Sequence, residues 1–93
     1  MIKLSVMYPK SEGSTFDLDY YQTAHMEIVD RTIKPLKWEI DAGVDGPYMA
    51  IGHLFFESMD ALQAGMGAGE EALADLPNFT NVESAVQIST VID

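Results

Sequence analysis

The sequence predicts an α+β fold of order βαββαβ, with a four-stranded antiparallel sheet and two helices on one of its faces. Two observations carry this expectation. Four short segments alternate apolar and polar residues with a period of two, and two longer segments repeat apolar residues every three or four positions. At 93 residues the chain is too short for two independent cores, so all six segments belong to a single domain spanning 1–93.

The elements follow in order. In IKLSVMY, Ile2, Leu4, Val6 and Tyr8 alternate with Lys3, Ser5 and Met7, and Pro9 ends the strand. KSEGST reads as a loop. A helix is expected from about Asp17 to Ile33, capped by Thr15 or Asp17, with Asp19 in its first turn and Arg31 and Lys34 near its end. Pro35 forces the exit. LKWEID is the second strand, and AGVDGP has the glycine, aspartate and proline of a turn. YMAIGHLFFE is the third strand, oily on both faces, and therefore needs cover on both sides. The second helix opens at Ser58 and carries Met59, Leu62, Met66, Gly69, Leu73 and Leu76 as its stripe. Gly65, Gly67 and Gly69 weaken it, each by about 0.8 to 1 kcal/mol against alanine. Pro77 ends it, and AVQISTVI closes the chain as the fourth strand.

That order in so few residues is the ferredoxin-like plait. Both helices occupy one face of the sheet. The other face, which holds part of the third strand's apolar set, is expected to be covered by a second copy, giving a homodimer joined sheet to sheet.

A composition of 47% hydrophobic and 22% charged residues is that of a globular chain and not of a disordered one. The formal net charge is −10. Lys3, Lys10, Arg31, Lys34 and Lys37 form no basic patch, so neither nucleic acid nor an anionic membrane is expected as a partner. There is no cysteine, which excludes disulfide and thiolate chemistry. MIKLSVMYP enters a strand at once without the pattern of a secretory signal, and no apolar run approaches the roughly 20 residues of a membrane span. A cytoplasmic protein is the expectation.

One residue of the first helix breaks its pattern. On a helical wheel Ile28, Tyr21, Thr32, His25, Leu18, Val29, Gln22, Ile33 and Met26 fill an arc of about 160°, and His25 lies near its centre. Asp19, Tyr20, Thr23, Glu27, Asp30 and Arg31 take the opposite side. His25 is either a core histidine whose nitrogens find a hydroxyl or a carbonyl, or a proton-moving group at the floor of a pocket between helix and sheet. Tyr21, one turn earlier on the same face, is placed to orient it or to share its ligand. His53, between Ile51 and Phe55 on the third strand, admits the same two readings. Trp38 and Tyr48 either line an aromatic cavity with it or fill the core. No metal site is expected, because the two histidines have no HxxxH or HxxE spacing and no cysteine joins them.

MIKLSVMYP, FDLDYYQTAHM at 16–26 and NFTN before the last strand together resemble the EthD family, small proteins named from ethyl tert-butyl ether degradation. Phe16, Asp17, Tyr20 or Tyr21, His25 and Met26 match its most recognisable motif. The resemblance implies a dimeric α+β barrel in which two ferredoxin-like sheets close face to face. Family members often carry proline after the His-Met pair, where this chain has Glu27, which the wheel turns to solvent. The resemblance links bacterial members to oxidative catabolism and fungal ones to polyketide dehydratases and decarboxylases. Haem-binding members of the wider superfamily use a histidine of the second helix. Residues 58–76 contain none, so neither haem nor another cofactor is expected.

Three functions remain open. The first is cofactor-free isomerisation, dehydration or decarboxylation of a small apolar or aromatic metabolite, with His25 as proton shuttle and Tyr21 orienting it. The second is a non-catalytic carrier that serves a partner oxygenase system, and the third is a structural dimer with a filled interior. A polar-floored void beside His25 favours the first, an apolar void the second, and no void the third. Any ligand is expected between the first helix and the sheet, with the glycine-rich second helix as the movable wall.

Overall fold

The computed structural model describes residues 1–92. Strands β1 (Ile2–Pro9), β2 (Lys37–Ala42), β3 (Tyr48–Phe56) and β4 (Ala85–Thr90) form one antiparallel sheet in the order β2-β3-β1-β4. Helices bridge β1 to β2 and β3 to β4, so the architecture is the ferredoxin-like plait that the order of elements predicts. Helix α1 is continuous from 18 to 32 but changes pitch twice: α-helical Leu18–Tyr20, a π-helical turn Tyr21–His25, then α-helical Met26–Thr32. Asp17 caps it by accepting from the Tyr20 N–H at 3.1 Å. Lys34, at φ 57°, ends it in a left-handed residue whose N–H returns to the Val29 carbonyl at 3.0 Å, and Pro35 follows.

The second helix departs from expectation. Where the stripe predicts one helix over 58–76, the chain forms α2 (Met59–Gly67) and α3 (Glu70–Asp75), and a 3₁₀ turn (Leu76–Asn78) follows. The glycines do more than weaken the helix. The Ala68 and Gly69 N–H groups fold back to the Gly65 and Met66 carbonyls at 3.0 and 3.1 Å, a tight turn that interrupts the ladder. Gly65 is also where α2 presses on its neighbours, since a Cβ there would stand 3.0 Å from both Ile33 Cγ2 and Phe56 Cε1. The break resets the helical phase. Leu73, which a single helix would bury, is 63% exposed, while Ala72 and Asp75 turn inward.

The core lies between the sheet and the helices, where Leu4 and Tyr8 of β1 and Ala50, Leu54 and Phe56 of β3 meet Tyr21, Met26, Val29 and Leu62. Among the described residues no helix covers the opposite sheet face. There, Lys3, Ser5 and Met7 stand beside their register partners Phe55, His53 and Ile51. This face is more polar than the third strand alone suggests, because β2 contributes Lys37, Glu39 and Asp41 to it. No helix among the described residues is long and apolar enough to cross a membrane.

Candidate active site

His25 closes the π turn of α1 and is buried, at 6% exposure. Its ring stacks on Tyr21, with centroids 5.3 Å apart and planes at 15°, and meets Phe79 at 4.6 Å. Its Nδ1 stands 2.9 Å from the Oδ2 of Asp75, a carboxylate buried at the end of α3. The second oxygen of that carboxylate accepts from the Tyr20 hydroxyl at 2.7 Å and from Asn78 Nδ2 at 2.8 Å. Burial alone would raise the Asp75 pKa, but the hydrogen bonds from Asn78, Tyr20 and His25 outweigh it and hold the group below the ordinary carboxylate value. Asp75 is therefore charged at neutral pH. It fixes the imidazole as the tautomer with a proton on Nδ1.

The His25 pKa moves down from its ordinary value, because burial outweighs the attraction of Asp75. The ring is then neutral near pH 7, with Nε2 as the nitrogen that carries a lone pair. Among the described residues no buried side-chain nitrogen or oxygen lacks a hydrogen-bond partner. Nε2 has no partner among the described residues, and as it is not a buried unpartnered atom it keeps accessible surface; since His25 lines a cavity, Nε2 is the ring nitrogen available to it.

The cavity has a volume of about 100 Å³ and lies between α1, the junction of α2 and α3, and strands β1, β3 and β4. Leu4, Val29, Ile33, Leu54 and Leu76 give it apolar walls, and Tyr8, Tyr21, His25 and Ser84 are its polar groups. Burial pushes the Tyr21 pKa up to about 12, with the neighbouring Tyr8 hydroxyl acting against the rise. Tyr8 is raised as well, by burial first and by Tyr21 second. Both phenols thus keep their protons at neutral pH; the Tyr8 hydroxyl donates to the Tyr21 oxygen, and the Tyr21 hydroxyl is the donor left for the cavity. Gly52 of β3 makes room for this arrangement, because a Cβ there would overlap the Tyr21 hydroxyl.

The structure brings Tyr21 and His25 together, as their spacing on one helical face implies. Tyr20 corrects the wheel. The π turn takes one residue more per turn than an α-helix, which swings the preceding turn toward the core and lets Tyr20 reach Asp75. Trp38, Tyr48 and His53 do not line this cavity. The Trp38 indole N–H donates to Asp30 Oδ1 at 3.0 Å, which spends its polar atom on the surface of α1. Tyr48 opens β3 beside the 42–47 turn, at hollows of its own. His53 points to the helix-free face, with Nδ1 3.0 Å from Ser5 Oγ and Nε2 2.8 Å from Asp41 Oδ2. A larger hollow of about 630 Å³, between 15–19 and 77–81, is an open surface groove that none of these candidates lines. No group of three or more histidine, aspartate or glutamate side chains among the described residues is placed to hold a metal ion.

An EthD-like protein from Ralstonia eutropha JMP134, known from its crystal structure, superposes on this chain with a TM-score of 0.89 and is 31% identical, over 99% of this chain and 92% of the other. The chain belongs to the EthD family. An EthD family protein from Bacillus halodurans C-125 matches over 99% of both chains with a TM-score of 0.67 and 15% identity, which shows the fold alone. No family model and no curated protein matches the chain.

In this EthD protein the segment NFTN is the clamp that completes the site. Asn78 holds Asp75, and Phe79 covers His25 and Tyr21. Thr80 and Asn81 tie the segment to the loop before α1 through the Thr15 and Gly13 carbonyls, at 2.8 and 2.9 Å. The Asp17 N–H, which donates to the Phe79 carbonyl at 2.8 Å, seats the start of α1 on the same segment.

Proposed function

We propose that this protein is a cofactor-free acid–base catalyst that isomerises, dehydrates or decarboxylates a small apolar or aromatic metabolite, with His25 as the proton shuttle. The observation that supports it is the open Nε2 of an imidazole whose other nitrogen is tied to the Asp75 carboxylate at 2.9 Å, beside two protonated phenols. For a carbonyl substrate Nε2 takes the proton from the carbon next to the carbonyl. The C–H electrons form the C=C bond, and the carbonyl electrons move to the oxygen, where Tyr21 donates a hydrogen bond. Return of the proton to a different carbon completes an isomerisation. Its delivery to a β-hydroxyl expels water. A homodimer joined through the helix-free face of the sheet is part of the same proposal.

The test is exchange of α-protons for deuterium in cyclohexanone, followed by NMR in D₂O. The protein is expected to accelerate exchange, and His25→Leu to lose about 10²- to 10⁴-fold of that acceleration, the usual loss on removing a proton-transfer group. Asp75→Asn should fold and lose rate as well, because an amide can present its donor to Nδ1 and turn the lone pair away from the cavity. Exchange that survives in His25→Leu removes this residue from the mechanism. Binding without any exchange favours a carrier that hands its ligand to an oxygenase system.

A further inference from the structure

We infer that the cavity beside His25 selects an uncharged, ring-sized ligand with one hydrogen-bond-accepting oxygen, a cyclic or aryl ketone, and rejects carboxylates; the inference rests on the proton-transfer reading above. About 100 Å³ is the space of one six-membered ring, and the walls that Leu4, Val29, Ile33, Leu54 and Leu76 supply are apolar. The ligand's oxygen belongs at the Tyr8 and Tyr21 end, where the Tyr8 hydroxyl is turned to the Tyr21 oxygen and the Tyr21 hydroxyl is the available donor. Among the described residues no lysine or arginine lines the cavity. Lys3 lies on the far face of the sheet, Arg31 is paired with Glu71 at 3.1 Å, Lys37 sits over the Phe55 ring, and Lys10 and Lys34 are exposed.

One buried anion is present already. Asp75 stands directly behind the imidazole, so a ligand carboxylate would enter a site whose nearest charge repels it, in a chain of net charge −10. Were His25 to take a proton, its charge would first offset Asp75. A decarboxylase has to hold a carboxylate beside its proton-moving group, and this site offers no partner for one. Of the three reactions proposed above, isomerisation and dehydration of a neutral ketone therefore fit this cavity, and the inference narrows the proposal by setting decarboxylation aside. Met66, Leu73 and Val86, all partly exposed at the rim, extend the apolar surface outward and leave room for an alkyl substituent.

The experiment compares cyclohexanone with cyclohexanecarboxylate, equal in ring and opposite in charge, by amide shift titration read at Val29, Leu54 and Ala72. The ketone is expected to shift these residues and to bind more than about tenfold more tightly than the carboxylate. Val86→Lys, at an exposed rim position, is expected to narrow that gap by admitting the carboxylate. Equal binding of the two probes in the parent would overturn the inference and leave the acid–base reading standing, as would a gap that Val86→Lys leaves unchanged. Shifts from neither probe would overturn both.

Discussion

At the scale of single residues, His25 and Asp75 work as a unit and leave a signature in stability. The folded-state pKa of His25 lies below its ordinary 6.5, so between the two values the unfolded chain binds more protons. Its contribution is complete above pH 6.5 and is lost as pH falls from there through the lowered value. Asp75, held below its ordinary 3.8, adds a second loss only in stronger acid. The urea midpoint should therefore drop between about pH 7.5 and about pH 5, and His25→Leu should shrink that drop. An unchanged drop in His25→Leu would assign it to other groups. The sequence displayed His25 and Tyr21 openly, since both fall on the apolar arc of one helix. It hid Asp75, because a single helix over 58–76 turns that residue outward. The spacing of Ala72, Asp75 and Leu76, at i, i+3 and i+4, is the local sign that α3 runs in its own phase.

At the scale of elements, alternation is a sufficient guide to the strands: β1 and β3 bury one row against the helices, and β4 keeps the period in Val86 and Ile88 although both are exposed. Pitch was not legible in the same way. Nothing in YQTAH distinguishes a π turn from an α turn, so Tyr20 reads as a surface residue until the extra residue per turn rotates it onto Asp75. The contact between α1 and β3 depends on the Gly52–Tyr21 pair, which no pattern within either element reveals. Gly52→Ala should cost about 1–3 kcal/mol, because the new methyl drives the phenol off its position. Tyr21→Phe in the same chain removes the overlapping oxygen and should restore most of that loss. Urea denaturation of the two single variants and the double variant measures the coupling. Additive losses would mean that Gly52 acts through strand conformation and not through the phenol.

At the scale of the whole molecule, one sheet face is covered by helices and the other is not. The helix-free face sets Met7, Ile51 and Phe55 among Lys3, Glu39 and Asp41, with the Ser5–His53–Asp41 chain crossing β1, β3 and β2. Third-strand apolarity anticipates a face that needs cover. It says nothing of the polar chain, which depends on register between strands far apart in sequence. The proposed homodimer should give a light-scattering mass about twice the 10.2 kDa of the chain at micromolar concentration. His53→Glu, which sets a second carboxylate beside Asp41, should lower that mass while the cavity around His25 keeps its ketone binding. A monomeric parent protein would contradict the sheet-to-sheet arrangement.

The proposed chemistry turns on His25 offering a bare Nε2 to the cavity while Asp75 holds the proton on Nδ1. Long-range ¹H–¹⁵N spectra of the imidazole read both nitrogens directly. At pH 7, Nδ1 is expected to be protonated and Nε2 unprotonated, with a second proton reaching Nε2 only below pH 6.5. A ring protonated on Nε2 with Nδ1 bare, or an imidazolium at pH 7, would contradict it.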